Sequence, residues 1–424
     1  MSAAPPSPPK RGRFDFKTFE SLHDRQYRWF FASLMGHFTA MNMQLFIRGW
    51  MVFQLTGSYA LLGGITLATA IPQIIFSLPG GVLADLVPQK KWVVQAGQFV
   101  NGVNSLAIAA LVISGDIAVV HLMVAAVVQG TAMSLMLPAR QAMTPEIVGP
   151  VRLMNATALS TAGMNTARLV MPGLAGWLVA AVGGGSGVAG AEYVYLFMGA
   201  MYLAAIVFLF PVSSSSGVRS DAPRTLRGAL DEVADGLRYI RGNHDVSLVL
   251  GVNLILEVVA MPYFFLLPGF VDDVLEGGAL EVGTLLSISG IGSLAGSLWI
   301  ASLPNKRRAR LMMWSSVVMG VALFAFSAST MFWVSAFFFT IVGFGQTARF
   351  AVSSVLIQAY TSDGYRGRVS SVYTLSWGLT SFGTFAVGLA ADAVGAQVAF
   401  GGTALGVVIV AFVLMRWTRI DQID

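Results

Sequence analysis

The chain lacks cysteine altogether and contains few charged residues. The absence of cysteine excludes disulfide bonds and thiolate metal sites. Charged residues make up 11% of the 424 residues, against 55% hydrophobic residues. Because a soluble protein of this length cannot bury so large an apolar share, the composition predicts an integral membrane protein. The first 28 residues hold no apolar run ahead of a cleavage site, so we expect no signal peptide.

Lysine and arginine are missing from every second connection between the apolar stretches. Of the 26 Lys and Arg residues, Arg48, Arg168 and Arg349 lie inside apolar stretches, and the other 23 lie in the tails or in even-numbered connections. Basic connections stay on the cytoplasmic side during insertion. This pattern predicts a multi-pass protein of the bacterial plasma (inner) membrane with both termini in the cytoplasm. The net charge of +5 then indicates contact with anionic membrane lipids, and we expect no nucleic acid partner.

Twelve stretches are apolar over the length of roughly 20 residues that a transmembrane helix needs. They form two sets of six, which predicts an all-α membrane protein with twelve transmembrane helices in two pseudo-symmetric six-helix bundles. The predicted spans, numbered 1 to 12, are 29–54, 60–79, 92–114, 118–139, 153–181, 191–211, 246–270, 281–303, 311–329, 332–358, 368–394 and 397–416.

These spans define the predicted domain organisation. A tail of residues 1–28 precedes an N-terminal bundle of 29–211, and a C-terminal bundle of 246–416 precedes a tail of 417–424. The linker of 212–245 has apolar residues at three- and four-residue steps, which predicts an amphipathic helix. That helix either lies on the inner membrane surface or packs on the cytoplasmic loops, and both alternatives stay open. Its apolar residues are Leu226, Leu230, Val233, Leu237 and Ile240.

The two halves of the chain resemble each other at an offset of about 217 residues. Gln141-Ala142-Met143-Thr144 in the connection after span 4 corresponds to Gln358-Ala359-Tyr360-Thr361 in the connection after span 10. Parallel six-span repeats around a central pathway are the architecture of one large class of secondary transporters. The repeat therefore favours a transport function.

The segment after span 2, residues 80–91, resembles the loop motif of the major facilitator superfamily. Gly81, Leu83, Ala84, Asp85, Lys90 and Lys91 match that motif, whereas Pro88 and Gln89 replace its usual Gly-Arg pair. Further segments resemble the branch of bacterial enterobactin exporters and macrolide efflux pumps. They are Leu55 to Ser58, Leu137 to Ala142 with Pro145 and Glu146, Ala167 to Leu169 with Pro172 and Gly176, and Arg366 to Tyr373.

The resemblance implies a conformational latch on the cytoplasmic side. Asp85 is expected to accept hydrogen bonds from the N-terminal end of span 11, near Arg368, in the outward-open state. The alternative is that this charge serves only to fix the membrane topology. The resemblance assigns the latch to Gly81, Asp85, Lys90, Lys91, Arg140, Glu146 and Arg368.

Five ionisable residues lie deep inside predicted spans, where their cost indicates a function. They are His37, Arg48, Arg168, Glu257 and Arg349. The resemblance places spans 1, 4, 7 and 10 around the central cavity, and all of these residues except Arg168 lie on that set. Drug/proton antiporters of this superfamily often carry an arginine in span 4, three residues before a Gln-Gly pair. Here Ala126 precedes Gln129-Gly130, so a proton relay on that arginine is not available.

Glu257 is the acidic residue inside a span and away from its ends. A carboxyl that meets water from each side in turn, beside Arg349, is suited to carry a proton or to bind a cationic substrate. The sequence therefore predicts Glu257 as the coupling or substrate-binding carboxylate. The alternative is a static pair of Glu257 with Arg349 or with Arg48.

The remaining candidates each have two readings. His37 either titrates near physiological pH and contributes to coupling, or fills a packing position. Arg168 either binds an anionic group or braces the helix. The resemblance implies that this helix bends at a motif formed by Pro172, Gly173 and Gly176. Arg48 and Arg349 either bind a carboxylate or catecholate of the substrate or form structural pairs.

The sequence as a whole predicts a secondary active transporter that exports amphiphilic, drug- or siderophore-like small molecules by alternating access and proton antiport. The alternatives are a lipid or lysolipid translocator or a facilitator without proton coupling and, from another class, a non-transporting sensor or scaffold. No metal cluster, nucleotide loop or nucleophile triad stands out in the sequence, so we expect neither an enzyme nor a cofactor. The expected partners are the substrate, protons and membrane lipids, and we expect a monomer.

Overall fold

The computed structural model describes residues 17–185, 187–213, 225–303 and 308–417. Within these residues the structure is helical, with no strand. Two short 3-10 helices cover Lys17–His23 and Asp363–Tyr365. The α-helices are α1 Arg25–Thr56, α2 Tyr59–Leu86, α3 Lys90–Ser114, α4 Val119–Gly183, α5 Ala191–Leu209, α6 Leu226–Gly242, α7 His244–Ala260, α8 Pro262–Asp273, α9 Ala279–Ser302, α10 Arg308–Ala328, α11 Phe332–Tyr360, α12 Arg366–Val394 and α13 Ala396–Trp417.

The helices follow the predicted spans in order. In the described chain, nine helical segments are long and apolar enough to cross a membrane. One of them is α4, which covers spans 4 and 5. Helix α1 corresponds to span 1 but falls short of that standard, and α12 corresponds to span 11 and contains the apolar segment Gly378–Val394. Helix α1 falls short because it carries polar side chains along its length, among them His37, Asn42, Gln44 and Arg48.

Two spans contain an irregular position. Helix α4 turns a corner at Gly149, whose φ of 66° suits glycine, and Pro150 follows directly. Span 7 comprises α7 and α8, which together form one apolar segment over His244–Asp273 and match the predicted span of 246–270. Met261 between them keeps helical backbone, with φ −73° and ψ −22°. The break between α7 and α8 is a break in backbone hydrogen bonding, because Pro262 has no N–H to donate.

The two halves, α1–α5 and α7–α13, meet through two helix pairs. Helix α2 packs against α12, and the second part of α4 packs against α9. Small residues allow this approach, since a Cβ atom on Gly63 would lie 2.5 Å from the Cα atom of Phe385. We call the face with the α1–α2 and α8–α9 turns the far face. The close approaches between the halves extend from the far face to Gly290 on α9 and Gly378 on α12. Towards the opposite, terminal face, Met154 on α4 is 85% exposed.

The amphipathic linker helix forms as predicted and packs on the terminal face. Helix α6 contacts α2, α7 and α12. The ring of Tyr239 stacks on Tyr365 at 4.1 Å between centroids, and the N–H of Ser362 donates to its hydroxyl oxygen at 3.1 Å. Ile240 is buried, whereas Leu230 and Leu237 stay exposed. This placement favours packing on the loops and leaves part of the apolar face free. Residues 1–16, 214–224 and 418–424 of the predicted tails and linker lie outside the described residues.

Candidate functional site

A narrow cleft with an accessible volume of about 30 Å³ lies between the two halves. The N-terminal half contributes α1 and the second part of α4, and the C-terminal half contributes α8 and α9. Most of its walls are aromatic, aliphatic or proline side chains, with a few polar groups. This is the composition expected of a small-molecule site. The lining residues are Asn42, Leu45, Phe46, Arg168, Pro172, Phe264, Phe265, Pro268, Leu286, Ser289, Gly290 and Ser293.

Arg168 is the charged residue among those that line this cleft. Its guanidinium carbon lies 5.7 Å from the centre of the Phe264 ring on the other half of the molecule. The side chain is exposed, and it makes no ion pair with any residue that the structure describes. The arginine therefore has its hydrogen-bond donors available beside an apolar surface.

The predicted helix-bend motif lies next to Arg168 but also serves close packing. Pro172 lines the cleft. Gly173 faces the hydroxyl of Ser287, and Gly176 faces the backbone of Ala279, both on α9. Gly149 is the one non-helical position within α4, so the helix continues through the motif. A side chain at either glycine would push α4 and α9 apart at the interface between the halves.

Glu257 and Arg349 form an ion pair inside the C-terminal half. Their side chains are 2% and 0% exposed, and Asn253 accepts a further hydrogen bond from Arg349 at 3.3 Å. Of the two predicted pairings of Glu257, this structure contains the one with Arg349. The pair lies on α7 and α11 and does not join the halves. The backbone oxygen of Glu257 accepts from the N–H of Met261, directly before the break in span 7.

Arg48 lies in the N-terminal half and has neutral partners. It donates to the side-chain oxygen of Gln129 and, at 3.4 Å, to the hydroxyl of Thr69. Gln129 in turn donates to the side-chain oxygen of Gln44. Arg48 is 7% exposed, so it is held within the bundle and does not line the cleft.

Two glutamines that the sequence analysis does not propose as site residues occupy equivalent positions in the two halves. Gln129 on α4 and Gln346 on α11 are 217 residues apart, which is the offset of the sequence repeat. Gln129 donates to Gln44, and Gln346 donates to the sulfur of Met261 at 2.9 Å. Gln44 and Met261 are also 217 residues apart. The repeat offset, extended from the loops into the spans, is the sequence signal that could have found them.

His37 is enclosed in the N-terminal bundle. It is 1% exposed, and its ring lies 5.9 Å from that of Tyr202. Neither ring nitrogen has a hydrogen-bond partner among the described residues. Buried polar atoms nearby, on Gln98 and Asn101 of α3, also have none within the described chain. His37 thus belongs to a polar cluster inside the bundle and not to the cleft.

The described members of the predicted latch contact residues of their own half. Lys90 pairs with Glu146, and Lys91 donates to the backbone oxygen of Val212 at 3.0 Å. The guanidinium of Arg140 lies over Phe38, and that of Arg368 over Tyr365. A Cβ atom on Gly81 would meet open space. The side chain of Asp85 lies outside the described residues, so its contact with span 11 stays a prediction.

The far face is held closed by hydrogen bonds between the halves. Asp392, near the end of α12, accepts from the hydroxyl of Ser58 and the N–H of Tyr59 at 2.7 Å each, and from the N–H of Ala60 at 3.0 Å. The carboxylate thereby caps the N-terminus of α2. Gln54 donates to Asp272 at 2.7 Å. The sequence analysis missed both acids, because their partners depend on how the halves dock.

Comparisons with known proteins agree with this architecture. A family model described as "Transmembrane secretion effector" matches residues 17–424. A variant of the nucleoside transporter NupG matches with a TM-score of 0.75 at 14% identity, covering 93% of this chain and 100% of its own. A bacterial homologue of the iron transporter ferroportin, inward-facing, matches with a TM-score of 0.72 at 15% identity, covering 93% and 98%.

A bacterial homologue of the lysosomal transporter Spinster, also inward-facing, has a TM-score of 0.69 at 12% identity and covers 96% of this chain and 97% of its own. No curated protein matches the sequence. The structural similarity, at these low identities, establishes the fold, and the match to the family model establishes that the chain belongs to that family. The chain is thus a multi-pass transporter of the major facilitator fold, not an enzyme, and it belongs to the family of transmembrane secretion effectors.

Proposed function

We propose that this transporter exports amphiphilic small molecules from the cytoplasm by alternating access, driven by proton antiport across a bacterial plasma membrane. The observation that carries the proposal is the cleft between the halves. Its apolar walls and few polar groups suit a molecule with both characters. The closed far face and the separation of the halves near the terminal face suit loading from the cytoplasm, with the terminal face on that side.

Alternating access requires the far-face bonds to break while contacts form at the terminal face. The capping of α2 by Asp392 is suited to stabilise the inward-open state. The Asp85 loop, by its resemblance, is suited to stabilise the outward-open state. In the first contact span 11 supplies the acid and span 2 the helix N-terminus, and in the second these roles are exchanged. In this proposal each half supplies one acid for the first turn of a helix in the other half, Asp392 in the inward-open state and Asp85 in the outward-open state.

The Glu257–Arg349 pair is the proposed coupling element. Protonation of Glu257 would remove the charge that holds Arg349, in a site where an unpaired charge is costly. The backbone of Glu257 closes the last turn of α7, and α8 begins one residue after Met261. Helix α8 supplies Phe264, Phe265 and Pro268 to the cleft. A change at the pair therefore acts directly before the helix that lines the cleft. His37 stays a second candidate for proton binding.

The test is transport into inside-out vesicles, with the pH change followed as amphiphilic probes are added. The wild type is expected to accumulate a probe against its gradient and to move protons in the opposite direction. Glu257→Gln keeps a hydrogen-bond acceptor for Arg349 but does not titrate, so we expect it to lose accumulation. Arg238→Gln, on the exposed face of α6, is the matched control.

The outcomes separate the parts of the proposal. Probe movement without proton movement, equal in wild type and Glu257→Gln, would identify a facilitator or lipid translocator and make the pair structural. The absence of any probe movement in folded wild-type protein would reject export of amphiphiles. Folding of each variant is checked by its thermal unfolding in detergent.

A further inference from the structure

We propose that Arg168 binds an anionic group and that the substrates of this transporter are anionic amphiphiles. This inference rests on the proposed export function and specifies its substrate class. The ligand it describes has an apolar body, which lies against the cleft walls once the halves move apart, and a carboxylate, sulfonate or phosphate group, which meets the guanidinium of Arg168.

The first observation is that Arg168 differs from the other two arginines inside the spans. Arg349 is fully buried and paired with Glu257, and Arg48 is buried and bonded to Gln129. Arg168 is exposed in the cleft and has no ion pair among the described residues. A cation at membrane depth without a counter-charge is costly, and such residues mark binding or transport pathways.

The second observation is the way Phe264 holds the guanidinium. The ring lies 5.7 Å from the guanidinium carbon, which is within the range of a cation–π contact. When the planar group stacks on the ring in such a contact, its N–H donors stay free at the edge. A guanidinium edge matches the two oxygens of a carboxylate or phosphate. Because Phe264 belongs to the other half of the molecule, a bound anion would lie where the halves separate.

The third observation is the charge balance of the cleft walls. No Asp or Glu occurs among the residues described as lining the cleft. The buried acid of the neighbouring helix, Glu257, is occupied by Arg349. The cleft therefore attracts an anion and disfavours a cation, and the effect is strong because the walls have a low dielectric constant. Leu45 and Phe265, which are exposed and partly exposed, supply the surface for the apolar body.

Two sources could supply this ligand chemistry. A free amphiphile in the cytoplasm carries an anionic group on an apolar body, and so does an anionic phospholipid of the surrounding membrane. The shared chemistry is an oxyanion next to a hydrocarbon or aromatic body. The experiment distinguishes the two sources by the composition of the lipid.

The experiment is a fluorescence binding titration in phosphatidylcholine nanodiscs with three matched probes. They are dansyl-labelled undecanoic acid, its primary amide, and dansyl-labelled undecyl trimethylammonium. In the wild type we expect the carboxylate to bind about tenfold more tightly than the amide, because a hydrogen bond to a charged group is worth that much or more. Arg168→Gln is expected to lose this preference, Arg168→Lys to keep part of it, and Arg238→Gln to keep all of it.

Several results would overturn the inference. Equal binding of the three probes to the wild type would do so while leaving amphiphile export intact. The same holds if the preference persists in Arg168→Gln. An equal loss of all three probes in Arg168→Gln and Arg168→Lys, with lowered thermal stability, would show that the arginine braces the helix. No binding of any probe to folded wild-type protein would reject the proposed function together with the inference.

Replacement of part of the phosphatidylcholine by phosphatidylglycerol assigns the source of the ligand. If the phospholipid displaces the carboxylate probe from the wild type but does not alter its residual binding to Arg168→Gln, the site accepts a lipid head group. If the carboxylate probe stays bound, the site selects free amphiphiles. Both results support the anion site, and transport of the same probes in vesicles shows separately whether binding leads to export.

Discussion

The two halves of this transporter share one frame but hold their arginines in different ways. Each places a glutamine at the equivalent position of its fourth span, Gln129 or Gln346, and each glutamine donates to the first span of its own half. In the N-terminal half Arg48 is bound by amide and hydroxyl oxygens. In the C-terminal half Arg349 is bound by the carboxylate of Glu257. The comparison shows that the two halves place glutamine contacts at equivalent positions, while the C-terminal half pairs its buried arginine with a carboxylate.

The difference extends to the backbone of the first span in each half. Helix α1 runs unbroken through Gln44 and Leu45, whereas the equivalent position in the C-terminal half, Met261-Pro262, interrupts span 7. The C-terminal half thus combines an ion pair that contains a carboxyl group with a first span whose backbone hydrogen bonding is broken at Pro262. The N-terminal half combines a permanent charge with a continuous helix. We infer that proton-linked movement begins in the C-terminal half.

The largest expected effect is on stability when the buried pair is broken. Glu257→Leu leaves Arg349 uncompensated, so we expect a loss of about 3–5 kcal/mol in the free energy of unfolding. The double variant Glu257→Leu with Arg349→Met should recover most of that loss. Arg48→Leu in the N-terminal half should cost less, because its partners are neutral. Denaturant unfolding in detergent measures all three, and equal losses in Glu257→Leu and Arg48→Leu would erase the distinction between the halves.

The next effect concerns the presence or absence of a proline at the equivalent position in the first span of each half. Leu45→Pro introduces a break into α1 and should cost about 3 kcal/mol of stability. Pro262→Leu, at the equivalent position, should leave the protein folded and make span 7 continuous. Because the break connects the pair to the cleft, we expect Pro262→Leu to slow transport in vesicles more than it changes thermal stability. Full transport by Pro262→Leu would show that the break is not required for movement.

The smallest effect concerns the equivalent glutamines. Gln346→Leu removes the acceptor of a neutral hydrogen bond from Tyr263, which is 2.6 Å long, and should cost about 1 kcal/mol. Gln129→Leu should cost more, because the bond it removes comes from the charged Arg48. Thermal unfolding of the two variants side by side gives the order. A reversed order would contradict the assignment of Arg48 to neutral partners.

Much of this fold follows from sequence patterns, because the bilayer imposes simple rules on length and charge. The succession of spans, the two halves and the linker helix are predicted by apolar stretches, basic connections and the repeat. Span 7 is predicted as one segment, which the structure contains, but its break in hydrogen bonding at Pro262 is not predicted, since a proline inside a span does not by itself show how the helix responds. The transport function, as opposed to a sensor or scaffold, is confirmed by the family match.

The site was less predictable than the fold. The sequence proposes a pairing of Glu257 with Arg349 or Arg48, and the structure contains the first. It proposes five buried ionisable residues as one group, but Arg168 lines the cleft and the other four lie within the bundles. The contacts of Asp392 with α2 depend on the docking of the halves, which no local pattern encodes. Their discovery needed the three-dimensional arrangement.

The most direct test of alternating access measures distances on both faces of one molecule. The chain has no native cysteine, so spin-label pairs can be introduced without other changes. Asp116 with Val398 reports the far face, and Met154 with Ser302 reports the terminal face. Asp392→Asn weakens the charge-assisted capping of α2, which we expect to populate a second state. Asp116 carries the label, so Glu192→Gln, in the first turn of α5 on the same face, serves as the matched control.

The account predicts a coupled change in double electron–electron resonance. In Asp392→Asn, the far-face distance should lengthen while the terminal-face distance shortens, and Glu192→Gln should change both less. Lengthening of the far-face distance alone, or an equal change in the same direction on both faces, would contradict alternating access of the two halves around the cleft.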